Sequence, residues 1–299
     1  MLRMKATSTV LALSLLAACG GDDSDASHDA DPDAPDADPN APDGGPRSSQ
    51  IFDHNHIDVE SISASCLDTL TSGDFVFHYA HRSHGSQLIV GADSLQENGH
   101  PELAFADSYC EMPDTPGTLG MWDGMDGEAN PGGCNLVPQE DYWDSEEGLN
   151  TLRSILENNS DIKYTMWAWS FEINEQTEQT IDGYFEVLGG LEDEFPSVRF
   201  IYMTGPAATD DFNADVNADR NAQIREFAQE NGKLLYDFEE LDTYSNGENH
   251  TVDGRPWEHP DFDLSEDGGA EYESTHTNQA SAEQKGRAFW GMMAALECE

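Results

Sequence analysis

A serine-containing turn is the first place in this sequence where the residue types suggest chemistry. The segment from His81 to Ser86 reads His-Arg-Ser-His-Gly-Ser and directly follows a short apolar run at 75–80. A serine between a strand and a helix lies where backbone N–H groups point outward and can bind an oxyanion. A serine hydroxyl becomes nucleophilic when a base, usually histidine, accepts its proton, and the chain has 10 histidines. The turn therefore predicts a nucleophilic serine.

Strand-like and helix-like segments alternate around this turn and along the rest of the chain. Runs rich in aromatic and β-branched residues predict strands at 75–80, 162–169, 198–203 and 233–238. Amphipathic spacing predicts helices at 177–195, 213–231 and 280–296. This alternation predicts an α/β fold, a three-layer αβα sandwich with a central parallel sheet, in a single domain with long loops at 107–148 and 243–275. Ligands bind at the carboxyl ends of parallel strands, where the serine turn falls.

Five short motifs follow one another in an order known from one hydrolase superfamily. They are 77–88, which contains His-x-Ser-x-Gly, then 163–169, 200–205, 233–238 and 285–290. Together they resemble a bacterial branch of the SGNH (GDSL-type) hydrolase superfamily, and the resemblance covers most of residues 51–299. It implies an SGNH, flavodoxin-like fold and serine esterase activity. It also implies that the nucleophile is Ser83, with Ser86 as the alternative.

The same resemblance indicates a base late in the chain. The superfamily places a histidine three residues after an aspartate, and the matching residues here are His276 and Glu273. The resemblance implies that His276 accepts the Ser83 proton and returns it to the leaving alcohol, while Glu273 orients the imidazole. Acidic residues are abundant in this chain, so the alternative is that Glu273 is a solvated loop residue and that a backbone carbonyl orients the imidazole.

The oxyanion hole is where the sequence departs from the superfamily pattern. The family supplies one donor from a glycine, for which Gly120 is our candidate, in competition with Gly117 and Gly124. A second donor is an asparagine, and Glu172 stands in its place. An ionised carboxylate accepts hydrogen bonds and repels an oxyanion, so it cannot serve unless it is protonated. Ser170 and Asn174 are the candidate replacements.

Two further groups of residues suggest metal ligands. On a strand, His54 and His56 would place both imidazoles on one face, as metal sites require, although a polar segment packing near the sheet edge is the alternative. Asp123, Asp126 and Glu128 offer oxygen ligands for calcium, but their spacing differs from that of known calcium loops. We expect no cofactor, with calcium as the alternative.

The N-terminus resembles a bacterial lipoprotein signal peptide. Residues 1–18 have a basic start, an apolar run and small residues before Cys19. The resemblance implies that Cys19 is lipidated and anchors the exported protein in the cell envelope, at the outer membrane on its periplasmic or surface face. An ordinary secretory cleavage site is the alternative. Residues 19–50 then form the lipidated Cys and an extended Asp/Pro/Ala-rich tether, and residues 51–299 form the domain.

Four cysteines remain in the exported domain, and an even number favours two disulfides. Of the three possible pairings we expect Cys66 with Cys298, at the two ends of the domain, and Cys110 with Cys134, within a Gly/Pro-rich loop.

The charge of the chain excludes several classes of partner. There are 60 Asp and Glu against 13 Lys and Arg, a net charge of −47. Nucleic acid is excluded as a partner because phosphate contacts need Lys and Arg. After residue 19 no stretch approaches the ~20 apolar residues of a membrane-spanning helix. The negative field also disfavours anionic substrates, and nothing in the sequence predicts an oligomeric state.

Three hypotheses follow. The first is a membrane-tethered serine esterase that acts on a small-molecule or carbohydrate ester, with deacetylation of a carbohydrate as one form. The second is a non-catalytic glycan-binding lipoprotein on a degenerate SGNH fold, in which loop aromatics stack on sugar rings. Those aromatics are Trp122, Tyr142, Trp143 and Trp257. The third is a structural lipoprotein that binds calcium.

Overall fold

The computed structural model describes residues 50–125, 142–262 and 275–298 of the chain. Several predicted features lie outside the described residues. They are the signal peptide, Cys19, the tether, Asp126, Glu128, Cys134 and Glu273.

Seven strands form one parallel sheet. They are β1 (Gln50–Phe52), β2 (Val76–His81), β3 (Phe105–Tyr109), β4 (Leu119–Met125), β5 (Ile162–Ala168), β6 (Arg199–Met203) and β7 (Leu234–Tyr236). Their order is β1-β7-β6-β5-β2-β4-β3, and every neighbouring pair is parallel. All six residues of β2 are buried, as expected for a strand covered on both faces.

Helices cover both faces of this sheet. They are α1 (Ala64–Leu70), α2 (Ser86–Glu97), α3 (Glu146–Asn158), α4 (Glu178–Glu194), α5 (Ala214–Glu230), α6 (Phe238–Thr243) and α7 (Gln279–Glu297). One core cluster joins α1, α2, α6 and α7 to one face, and a second joins α3, α4 and α5 to the other. The predicted α/β class and αβα sandwich are therefore confirmed. Among the described helices, none combines the length and apolar character needed to span a membrane.

Helices α2 and α7 approach each other closely through glycine. A Cβ atom on Gly91 would lie 1.8 Å from the carbonyl oxygen of Ala282, and one on Gly286 would lie 2.6 Å from the backbone of Gly91. Glycine is required here because no side chain fits between the helices. Helix α2 follows the serine turn and α7 follows His276, so this packing brings the two candidate segments together.

The prediction of a long loop at 107–148 is wrong for the part that the structure describes. Strand β3 ends within this range, β4 lies inside it, and α3 begins at Glu146. Strand β4 lies between β2 and β3, and hydrogen bonds to both neighbours outweigh the low strand propensity of Gly120 and Gly124. The segment after residue 243 likewise contains short strands that form two small antiparallel pairs.

The expected disulfide between Cys66 and Cys298 is present, with Cα atoms 5.6 Å apart. It joins α1 to the end of α7, so it closes the domain between its first and last helices. Cys110 is also disulfide-bonded, and Cys134, its expected partner, lies outside the described residues.

Candidate active site

Ser83 lies at the carboxyl end of β2, where ligands of parallel sheets bind. Residues Ser83–Gly85 form a single 3-10 turn that leads directly into α2. A Cβ on Gly85 would lie 2.4 Å from the Cβ of His81 and 2.9 Å from the Cβ of Ala168. Glycine is therefore needed for the turn to pack against the sheet edge, and the side chain of Ser83 remains half-buried.

His276 lies beside the residue that follows Ser83. Its exposed imidazole stacks on the buried ring of His84, with centroids 4.5 Å apart and planes inclined by 9°. The backbone of His276 has a φ of 60°, a conformation uncommon for a residue with a side chain. The buried Gln87 amide donates to the Thr275 carbonyl at 2.8 Å and holds this backbone against the first turn of α2.

No hydrogen bond joins Ser83 to His276, although both lie within the described part of the chain. Catalytic hydrogen bonds are often long without substrate and shorten when it binds. The structure therefore places the predicted nucleophile and base at one edge of the sheet, on adjacent segments.

His84 is a buried histidine that our sequence interpretation did not single out. Its Nδ1 lies 2.6 Å from Oγ of Ser170, and its ring also contacts Phe171 edge-on, at 4.1 Å between centroids. Burial, together with the positive charges of His276 and Lys285, lowers the pKa of His84 to about 3. His84 is therefore neutral near pH 7 and a much weaker base than an ordinary histidine.

The three residues considered for the second oxyanion donor, Ser170, Glu172 and Asn174, lie together after β5. The N–H of Ser170 donates to Oε1 of Glu172 at 2.7 Å, and Oε2 of Glu172 lies 3.7 Å from Nη1 of Arg82. The Glu172 carboxylate is thus occupied by the backbone of Ser170 and by the side chain of Arg82. Asn174 is 7% exposed, and its Oδ1 accepts from Nδ2 of Asn217 at 2.7 Å.

Gly120 lies far from these residues. It pairs with Val76, the first residue of β2, whereas Ser83 follows the last. The two ends of β2 are five steps apart along the strand, about 16 Å at the usual rise per residue. Gly124 pairs with Ala80 at the carboxyl end instead, so it is the better placed of the glycines that we considered.

Ser83, Ser170, Glu172 and Asn174 line one pocket of about 590 Å³. The same pocket is lined by Phe171 and Phe212, which are 39% and 59% exposed. They are the exposed large apolar side chains of the described residues. A larger pocket of about 810 Å³ lies at the opposite edge of the sheet, and its described lining contains no serine or histidine.

The proposed His54 and His56 metal pair does not form. Residues His54–His56 are a 3-10 turn rather than a strand, so the two imidazoles meet different carboxylates. His54 Nδ1 pairs with Glu240, and His56 Nδ1 lies 3.3 Å from Oδ1 of Asp53. Asp53, His54 and Glu240 nevertheless bring three potential ligand atoms within 4.8 Å of one another, a group that could hold a metal ion.

Two other predicted roles, calcium binding by Asp123 and sugar stacking by Trp122 and Trp143, fall on side chains that have other contacts in the fold. Oδ1 of Asp123 lies 2.8 Å from Nε2 of the buried His81, so this carboxylate oxygen is already engaged. Trp122 and Trp143 are 8% and 3% exposed and belong to the core, so they are not available to stack on a sugar ring.

Asn217 is a second buried residue that the sequence interpretation missed. Asn217, Asn221 and Arg225 lie four residues apart on α5, and the two asparagines are fully buried. Polar residues at helical spacing, on the face of a helix that packs against a sheet, are a sequence signal for a buried polar network. His84 offered no comparable signal, because its neighbours in the turn are also polar.

Searches with family models and with curated protein sequences found no match to this chain.

Proposed function

We propose that this protein is a serine esterase of the SGNH type, exported and held in the cell envelope by a lipidated Cys19. The observation that supports this most directly is the stacking of His276 on His84, the residue after Ser83. Two segments far apart in the sequence, which carry the proposed nucleophile and base, thus lie next to each other at the carboxyl ends of the strands, where parallel sheets bind ligands. The disulfide between Cys66 and Cys298 is in keeping with export, because such bonds persist in oxidising compartments.

The reaction proceeds in two steps. The Ser83 oxygen attacks the carbonyl carbon of the ester while His276 accepts the hydroxyl proton, which gives a tetrahedral oxyanion. Collapse of this intermediate breaks the bond to the alcohol, which leaves with the proton from His276. A water molecule then attacks the acyl-Ser83 ester and gives its proton to His276. Release of the carboxylic acid returns that proton to the Ser83 oxygen, and no cofactor takes part.

Asn174 and the backbone of the Ser83 turn are the best candidates for the oxyanion hole. The first N–H groups of a helical turn have no partner within it, so they can donate to an oxyanion next to the nucleophile. Asn174 lines the same pocket and has its Oδ1 occupied by Asn217, which leaves its Nδ2 to donate. Glu172 is excluded from this role because its carboxylate accepts from Ser170 and faces Arg82.

The pocket suits a neutral or cationic ester with an apolar portion. Phe171 and Phe212 offer apolar surface next to Ser83. Glu172, Glu175 and Asp210 place carboxylates around the pocket, against one arginine, Arg82, that is itself near Glu172. An anionic acyl group would be repelled by this charge. Acetyl and short-chain acyl esters, including those on carbohydrates, fit these conditions.

An ester panel tests this proposal with matched serine variants. We expect the purified domain to hydrolyse p-nitrophenyl acetate and butyrate, and to hydrolyse the p-nitrophenyl monoester of succinate more slowly. Ser83→Ala should abolish turnover, whereas Ser86→Ala, at the first residue of α2, should retain it. Loss in Ser86→Ala with retention in Ser83→Ala would move the nucleophile to Ser86. No turnover in the wild-type protein would favour a binding protein on this fold.

A further inference from the structure

A chain of buried amide side chains runs from α5 to the pocket that contains the candidate nucleophile. Asn217 and Asn221 lie one helical turn apart on α5 and are both fully buried, as is Glu239 from α6. The chain ends at Asn174, which lines the pocket. Buried amides are costly unless their donors and acceptors are paired, so the direction of each amide in this chain is strongly determined.

The direction of Asn221 follows from a backbone group that can only donate. The N–H of Gly205 lies 2.7 Å from Asn221 Oδ1, so this atom is the amide oxygen. Nδ2 of Asn221 is then the end that donates to Oε1 of Glu239 at 2.8 Å. The same nitrogen lies 3.3 Å from Oδ1 of Asn217.

The direction of Asn217 follows from a backbone group that can only accept. The carbonyl of Pro206 lies 2.9 Å from Nδ2 of Asn217, so this atom must be the amide nitrogen. That nitrogen also lies 2.7 Å from Asn174, and the atom of Asn174 that it meets must therefore be Oδ1. A reversed Asn174 would set two donor groups against each other. The N–H groups of Asn174 are consequently at the other end of the amide, away from Asn217, and Asn174 is one of the residues that line the pocket.

We propose that Asn217, held in turn by Asn221, is a positioning residue that keeps the Asn174 amide nitrogen directed at the oxyanion formed on the substrate. This inference rests on the proposed function, because the oxyanion arises only in acyl transfer. A donor that is oriented before substrate binds stabilises developing charge without reorganisation. The network also explains how an active site with Glu172 in the usual amide position can retain an amide donor, two residues further along the chain.

Reversing the polarity of Asn217 without changing its shape tests the inference. Asn217→Asp removes the N–H groups that meet Oδ1 of Asn174, so Asn174 loses the contact that sets its direction. We expect kcat for p-nitrophenyl acetate to fall at least tenfold, with KM within about threefold of wild type. Asn174→Ala should lower kcat by about 10²–10³-fold, the usual effect of removing one oxyanion donor. In the Asn174→Ala background, Asn217→Asp should cause no further loss, because its effect passes through Asn174.

Two further variants separate this role from a general structural one. Asn231→Asp makes the same change at the exposed end of α5 and should leave kcat unchanged. If Asn217→Asp does not fold, Asn217→Ser removes the contact without adding a charge and should lower kcat severalfold at unchanged KM. A folded Asn217 variant with wild-type kcat overturns the inference, as does an equal loss in the Asn174→Ala background. Wild-type protein without turnover overturns the proposed function, and this inference with it.

Discussion

The imidazole rings of His84 and His276 stack face to face, with centroids 4.5 Å apart. One ring belongs to the turn after β2 and the other to the segment before α7, so two distant parts of the sequence meet at one edge of the sheet. The close approach of α2 and α7 at Gly91 and Gly286 explains why this contact is possible. The two rings have different environments, because His84 is buried and His276 is exposed. The exposed ring is therefore the one that can exchange a proton with substrate.

Replacing His276 tests its role as the base. His276→Ala should lower kcat/KM for p-nitrophenyl acetate by about 10²–10⁴-fold, the usual contribution of a general base. The melting temperature should stay close to wild type because the side chain is exposed. His100→Ala, at a half-buried histidine that contacts Glu102, serves as the control and should leave kcat/KM unchanged. Undiminished turnover in His276→Ala would reject this residue as the base.

Gln87 tests whether the backbone next to His276 must be held in place. Its amide donates to the Thr275 carbonyl. Gln87→Leu removes this donor and puts an apolar side chain of similar size in its place. We expect kcat to fall about tenfold or more, because small displacements of catalytic groups are costly. The control is Gln284→Leu, which removes similar bonds from α7 to the carbonyls of Leu241 and Tyr244. Equal kcat losses in both variants would mean that general loosening of α7, rather than the position of His276, is responsible.

Acid should destabilise the protein through its buried histidines. Burial lowers the pKa of His78 to about 4. As the pH falls below the ordinary value of 6.5, His78 therefore binds a proton in the unfolded chain but not yet in the folded protein. Stability associated with His78 is therefore present above pH 6.5 and is lost as the pH falls from 6.5 to 4. Each pKa unit corresponds to about 1.4 kcal/mol, so the loss by pH 4 is on the order of 3 kcal/mol.

The His78→Asn variant isolates this effect. The free energy of unfolding, measured by urea denaturation from pH 7 to pH 4, should decline less in the variant than in wild type. Contributions from other groups cancel in the comparison. Among them is Glu239, whose pKa burial raises to about 7 and which acts in the opposite direction. Parallel pH profiles for the two proteins would show that His78 is not buried in its neutral form.

The disulfide between Cys66 and Cys298 should contribute strongly to stability. It links residues separated by 232 positions, and the chain-entropy model assigns about 5 kcal/mol to a loop of this length. We expect Cys66→Ala with Cys298→Ala to lower the melting temperature by roughly ten degrees or more, since each kcal/mol shifts it by about 2–4 °C in a domain of this size. Addition of a reductant should lower the melting temperature of the wild type more than that of the double variant, in which only the bond of Cys110 remains to be reduced. A double variant as stable as wild type would contradict this prediction.

Local patterns in the sequence account for much of this fold. Helix α4 occupies Glu178–Glu194 within the predicted range 177–195, because apolar residues recur at helical spacing and Thr177 caps its start. Local patterns did not predict strand β4, because its sequence contains glycine and has low strand propensity. Its structure is determined by its place between β2 and β3. The same limit applies to the site. Ser83 and His276 stand at positions that motifs can identify, and Asn217 belongs to a polar stripe that helical spacing can reveal. The contacts of His84 with Ser170 and of Asn217 with Asn174, however, are created only by folding.

Covalent labelling tests most directly whether Ser83 is a nucleophile activated by its surroundings. The purified domain should be incubated with a fluorophosphonate probe, and the modified residue identified by peptide mass spectrometry. We expect stoichiometric labelling on Ser83, no labelling of Ser83→Ala, and undiminished labelling of Ser86→Ala. Labelling should also be strongly slowed in His276→Ala. Wild-type protein that stays unlabelled, or a label on any other serine, would contradict the assignment.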